Sequence, residues 1–132
     1  MPARILIVDD NPINLKLACS VLELEGYEIQ QAQDAEQAMA TLGKKYFDLI
    51  LMDIELPGMD GLTLTRLLKL DEKTKNIPVV ALTAYAMKGD DQKMIQAGCV
   101  GYISKPIDTR TFPKQVEEFI QTENKKKGQA SL

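Results

Sequence analysis

The chain has no histidine and no tryptophan among its 132 residues. Without an imidazole there is no Ser–His–Asp or Cys–His nucleophile, and the absence argues against a typical catalytic zinc site. Cysteine is scarce. Cys19 and Cys99 stand alone in apolar surroundings, outside any C-x-x-C pair, and read as reduced thiols packed as small hydrophobes in a reducing compartment. No apolar run is long enough to cross a bilayer and none follows a charged leader, so the expectation is a cytoplasmic protein without a membrane segment. Basic blocks are missing until Lys125, Lys126 and Lys127, which read as part of a solvated tail. With 16 Lys and Arg against 19 Asp and Glu the formal charge is −3, so the footprint of a nucleic-acid binder is missing. Chemistry here must rest on oxygen, with lysine in support.

What the sequence does contain is a regular alternation. Short apolar runs at residues 5–8, 49–52 and 79–82, and weaker ones at 27–31 and 101–103, predict five strands. Between them lie segments of helical period. Asn11 and Pro12 supply an N-cap and a first-turn proline, Ile13, Leu17, Val21 and Leu24 follow on one face, and Gly26 stops the helix. Further helices are predicted at 35–43, 60–70 and 88–97, and a last one carries Phe112, Val116, Phe119 and Ile120. Pro113 is tolerated only in a first turn, which places that helix's cap between Asp108 and Thr111. Strands alternating with helices, joined by right-handed crossovers, make a doubly wound α/β domain with a parallel sheet covered on both faces. The domain is expected to end at residue 122, and residues 123–132, polar and without apolar anchors, are expected to be a disordered tail.

In an open parallel sheet ligands bind outside the carboxyl ends of the strands. The residues there are unusually polar. Strand one ends in Asp9 and Asp10, strand three in Asp53, strand four in Thr83, and strand five in Lys105 followed by Pro106. An isolated Asp after a strand is ordinarily a turn or cap residue, but five such side chains after four strands at one edge are hard to obtain from packing. At ~4 Å and an effective dielectric of about 20, each like-charged pair costs on the order of 4 kcal/mol, so the cluster calls for a cation or a proton. Hard oxygen donors without His or Cys select Mg²⁺ or Mn²⁺. A hydroxyl and an ammonium beside that metal suit a phosphoryl group, which makes Asp53 the nucleophile that forms an acyl phosphate.

This pattern resembles the receiver domain of two-component response regulators, from about Arg4 to Gln121. Within that family, "NPINLKLACSVLELEGYE" and "AYAMKGDD" look most like DivK-type single-domain regulators and hybrid histidine kinase receiver modules. The resemblance implies a (βα)5 flavodoxin-like fold with strand order 2-1-3-4-5. It implies that Asp10 is a direct Mg²⁺ ligand and that Asp9 acts through water. Asp53 in "LILMDIELPGMDG" is then the phospho-acceptor and the main-chain carbonyl of Glu55 a further metal ligand. Thr83 in "VVALTAYAMKGD" becomes the switch hydroxyl, Tyr102 in "CVGYISKP" the switch aromatic, and Lys105 the phosphate-binding lysine before a cis peptide to Pro106. Gly61 fits the turn into helix three, while Glu55 and Tyr85 flank the path of the water that hydrolyses the acyl phosphate. The remaining leucines of "MDGLTLTRLL", with Met87 and Met94, read as core or surface filler.

The expected partners are a histidine kinase or histidine phosphotransfer protein as phosphoryl donor, and a downstream protein docking on helix four, strand five and helix five. The chain is then a phospho-acceptor with slow self-dephosphorylation rather than an enzyme. Met1 directly before strand one is expected of a stand-alone protein, the alternative being a module of a hybrid kinase. Two other classes fit less well. A haloacid dehalogenase-type phosphatase needs D-x-D-x-T after strand one, which "DDNPI" and "DIELP" do not supply. A mononucleotide binder needs a loop of amide donors where two aspartates would repel phosphate.

Overall fold

The computed structural model describes residues 2–84 and 90–130, without the side chains of Asp90 and of 127–130. Five strands, β1 (Arg4–Val8), β2 (Glu28–Ala32), β3 (Leu49–Asp53), β4 (Val79–Thr83) and β5 (Gly101–Ser104), alternate with five helices. These are α1 (Pro12–Leu24), α2 (Ala35–Leu42), α3 (Gly61–Leu70), α4 (Asp90–Ala97) and α5 (Phe112–Ala130). The sheet is parallel throughout, in the order β2-β1-β3-β4-β5. Strand one of a βαβ unit cannot turn back on itself as a hairpin does, so each crossover carries a helix to one face or the other.

The period of two within each strand sorts the side chains into two cores. Ile5 and Ile7, Leu49 and Leu51, and Val80 and Leu82 pack with Leu15, Ala18 and Leu22 of α1 and with Phe112 and Val116 of α5. Leu6 and Val8, Ile50 and Met52, and Val79 and Ala81 pack on the other face with Ala38 of α2, Leu64 and Leu68 of α3, and Met94 of α4. β1, β3 and β4 are therefore apolar on both faces, as expected of strands buried under two helical layers.

Local chemistry sets the element ends. The Asn11 side chain accepts from the N–H groups of Ile13 (2.9 Å) and Asn14 (3.3 Å), capping α1 as expected. Asp34 caps α2 through the Gln37 N–H and Asp60 caps α3 through the Thr63 N–H, both at 2.8 Å. β2 starts one residue later than expected because the Tyr27 N–H bonds back to the Leu22 carbonyl and belongs to the exit of α1. α5 starts at Phe112, which puts Pro113 in its first turn. At its other end α5 departs from the disordered tail expected from residue 123, and continues to Ala130. Glu, Asn and three lysines include good helix formers, and Lys126 pairs with Glu123 at 3.2 Å one turn back. The expected start of helix four at residue 88 lies outside the described residues, as do Tyr85 and Met87. Cys19 and Cys99 are buried free thiols, and no helix among the described residues is long and apolar enough to cross a membrane.

Candidate functional site

Register assembles the site. Val8 of β1 is level with Met52 of β3, so the next residues, Asp9 and Asp53, emerge side by side. Both continue the odd-numbered series of their strands, Ile5–Ile7 and Leu49–Leu51, whose side chains face α1 and α5. Lys105 stands in the same relation to Ile103 of β5. Three residues distant in sequence thus converge on one face, and the contacts follow: Lys105 Nζ lies 3.0 Å from Asp9 Oδ2 and 3.1 Å from Asp53 Oδ2.

The second oxygen of each carboxylate is held by backbone. Asp9 Oδ1 accepts from the Asn11 N–H and Asp53 Oδ1 from the Glu55 N–H, each at 2.9 Å. Asp9 and Asp53 are 1% and 3% exposed, so neither can shed its charge into bulk water. Burial pushes the Asp9 carboxyl above the usual carboxylate range and the Asp53 charge adds to this, against the lowering effect of Asn11 and Lys105. Burial also disfavours the ammonium of Lys105, but the two carboxylates outweigh it and raise its pKa above the ordinary lysine value. Asp10 is exposed, at the rim.

Asp9, Asp10 and Asp53 each offer a carboxylate oxygen, and these lie within 4.8 Å of one another. Among the described residues, three hard, negative donors answered by one ammonium leave a surplus of negative charge that a divalent ion neutralises, and the set has the oxygen-only chemistry of a Mg²⁺ or Mn²⁺ site rather than a zinc site. The residues present therefore fit the metal.

Thr83 falls in the other series of its strand. It follows Val79 and Ala81, which face α3 and α4, and it is fully buried. Its register partner is Ser104, and its carbonyl accepts the Lys105 N–H at 2.8 Å, tying the two strand ends together. Tyr102 pairs with Ala81 and so shares the Thr83 face, its side chain 42% exposed. The peptide between Lys105 and Pro106 is cis. A groove of about 460 Å³ opens beside this end of the sheet, from Ile54 and Glu55 to Leu62 of α3 and Met94 of α4.

The entry of α3 is closer to the site than the sequence alone reveals. A Cβ on Gly61 would meet the main-chain oxygen of Asp53 and come within 2.8 Å of the Ile54 Cα. The Gly61 N–H donates to the Ile54 carbonyl at 3.2 Å. Any side chain here would push α3 off the strand that carries Asp53. The sequence pointed to Gly61 as a turn residue; the steric reason appears only once α3 is docked. The roles of the Asn11 and Glu55 amides in holding the two buried carboxylates were not legible either, although an Asp two residues before a free N–H is a common turn bond.

Comparison with known proteins agrees with this geometry. Residues 5–117 match the response regulator receiver domain. The chain is 42% identical over 120 residues to the polar-differentiation response regulator DivK of Brucella anthropi, covering 91% of this chain and 98% of that protein. A CheY-like receiver domain protein from Methanospirillum hungatei superposes with a TM-score of 0.86 at 31% identity, over 96% of this chain and 99% of that one. The receiver domain of the sensor histidine kinase PA1611 from Pseudomonas aeruginosa, solved with a magnesium ion in its active-site cleft, gives 0.82 at 33% identity, over 92% and 99%. With a family match across most of its length, five parallel strands in the 2-1-3-4-5 order and an acidic cluster at their carboxyl ends, this chain belongs to the response regulator receiver domains, the phospho-acceptor modules of two-component signalling.

Proposed function

We propose that this chain is a DivK-like single-domain regulator whose Asp53 accepts a phosphoryl group from a phosphohistidine of a histidine kinase or phosphotransfer protein. The observation that carries the reading is the Asp53 carboxylate, buried at the end of β3, paired with Lys105 at 3.1 Å and clustered with Asp9 and Asp10. A lone pair on a carboxylate oxygen of Asp53 attacks phosphorus in line. The P–N bond breaks, its electron pair stays with the imidazole of the donor, and that nitrogen takes up a proton from solvent. The product is an acyl phosphate on Asp53.

This chain's residues supply position and charge. The Glu55 N–H orients the acceptor carboxylate, and Lys105 neutralises the non-bridging oxygens as they arrive. Asp9, Asp10, Asp53 and the Glu55 main-chain carbonyl hold Mg²⁺ or Mn²⁺, which when bound offsets the negative charge of both carboxylate and phosphoryl group. Thr83 then donates its hydroxyl to the phosphoryl group. Because Tyr102 lies on the same face of the sheet, a shift of Thr83 leaves room for the Tyr102 ring to turn inward. The surface that changes is α4, β5 and α5, where the downstream protein docks, and where Tyr102 and Phe119 border a hollow of about 320 Å³.

Self-dephosphorylation is slow in this reading, with Glu55 and Tyr85 controlling access of water to the acyl phosphate. Glu55 is exposed at the mouth of the site; Tyr85, outside the described residues, supplies bulk. Acetyl phosphate or a kinase labels the wild type once, only with Mg²⁺ or Mn²⁺ present, and intact-mass measurement reads the adduct. Labelling of Asp53→Asn to the same stoichiometry sinks the assignment, and a phospho-Asp53 half-life that is not shortened by Tyr85→Ala removes the shielding role.

A further inference from the structure

At the amino-terminal end of the sheet, the turn after α2 and the loop between α3 and β4 enclose a hollow of about 200 Å³. Lys44, Lys45, Tyr46 and Lys73 contribute to its lining, and no carboxylate does. Among the described residues these three lysines have no ion-pair partner. Glu72 is taken by Lys75 at 2.8 Å, and Asp48 accepts the Arg4 N–H. A second hollow of about 170 Å³ adjoins the first through Leu42, Gly43 and Lys73, and adds Met39 and Leu68. Asp71 borders this second part, with Oδ1 accepting the Lys73 N–H. Met39 and Tyr46 are both half exposed.

The plain account of Lys44 and Lys45 is that they complement the negative end of the α2 dipole, since both N–H groups bond to the Thr41 carbonyl. That explains neither Lys73, on a different element, nor the exposed Met39 and Tyr46 beside it. A chain of net negative charge has gathered three lysines, without an ion-pair partner among the described residues, and an apolar floor in one groove with Asp71 at its border.

We propose that this groove docks an acidic peptide segment of a partner protein, its carboxylates on Lys44, Lys45 and Lys73 and a large apolar side chain against Met39 and Leu42. The apolar half offers nothing to a free phosphate. The acceptor end of the sheet lies a full strand away, about 17 Å for five residues, so a partner held here leaves Asp53 open to its donor. The groove is thus an anchor independent of phosphorylation.

The test is fluorescence anisotropy with a panel of labelled peptides built from Glu and Leu. Wild type binds, and Lys45→Glu/Lys73→Glu binds at least tenfold more weakly while melting normally and labelling at Asp53 as wild type does. Met39→Ser weakens binding several-fold, salt weakens it further, and phosphorylated protein binds equally well. Equal affinity in the charge-reversed variant overturns the proposal, as does no wild-type binding across the panel or equal binding of Glu–Ser peptides. Competition by millimolar inorganic phosphate, preferential capture by phosphatidylserine vesicles, or a dimer abolished by the same substitutions also overturns it, in favour of a free anion, a lipid surface or a second copy.

Discussion

At the carboxyl ends of the strands, Asp9, Asp10 and Asp53 place carboxylate oxygens within 4.8 Å of one another, and Lys105 lies against Asp9 and Asp53. At the amino ends, Lys44, Lys45 and Lys73 line a hollow that contains no carboxylate. The two ends differ in how they are built as well as in sign. Asp9 and Asp53 are buried, each with one oxygen on a backbone N–H and the other on Lys105, so their geometry is set before any ligand arrives. The basal lysines are exposed and, among the described residues, are tied through their own backbones, so a ligand there must pay for ordering their side chains. Chemistry that depends on alignment belongs at the first end, and adaptable recognition at the second.

The largest expected effect separates the two outright. Asp53→Asn abolishes labelling by acetyl phosphate, whereas Lys45→Glu/Lys73→Glu leaves the stoichiometry and rate unchanged, as read by intact-mass spectrometry over time. Loss of labelling in the basal variant would mean that the ends are coupled.

Glycine substitutions come next, by urea denaturation. Gly61→Ala forces a methyl group against the Asp53 backbone and is expected to cost about 1–3 kcal/mol. Gly43, at the basal end, is in the right-handed helical region with only ordinary contacts near 3.5 Å. Gly43→Ala is therefore expected to be neutral or to stabilise by about 0.4–1 kcal/mol. Equal costs at the two positions would contradict the close approach at Gly61.

Metal tests the acidic end alone. Mg²⁺ at ten times its dissociation constant is expected to stabilise the fold by about 1.4 kcal/mol, seen as a raised melting temperature, and Asp10→Asn should shrink that rise by weakening binding. A melting temperature unmoved by millimolar Mg²⁺ in wild type argues against the site.

The smallest effect lies between the ends. Burial pushes the thiols of Cys19 and Cys99 above the ordinary cysteine value, so each ionises at a higher pH than a free thiol. Iodoacetamide near pH 8 is expected to leave the native protein unmodified and to alkylate both cysteines in urea. Selective native modification of one would show that its core layer opens.

Sequence by itself determined a great deal of this protein. The apolar runs of β1, β3 and β4, the Asn11–Pro12 start of α1 and the polar residues after each strand are local patterns, and a period of two or 3.6 needs only neighbours along the chain to be legible. The identity of the acidic cluster followed because a doubly wound sheet must present its strand ends at one edge. Where local signals were weak the boundaries moved: Tyr27 was lost to the exit of α1, and the polar residues after Thr122, which bury little, continue α5 through helix propensity and a one-turn ion pair. Other features depended on distances between residues far apart in the chain, which only register and docking decide. The pairing of Val8 with Met52 brings Asp9 beside Asp53, the seating of α3 on β3 makes Gly61 obligatory, and the return of the α3–β4 loop sets Lys73 next to Lys44 and Lys45. No local pattern encodes those meetings, because each is fixed by how the packed layers close over one core.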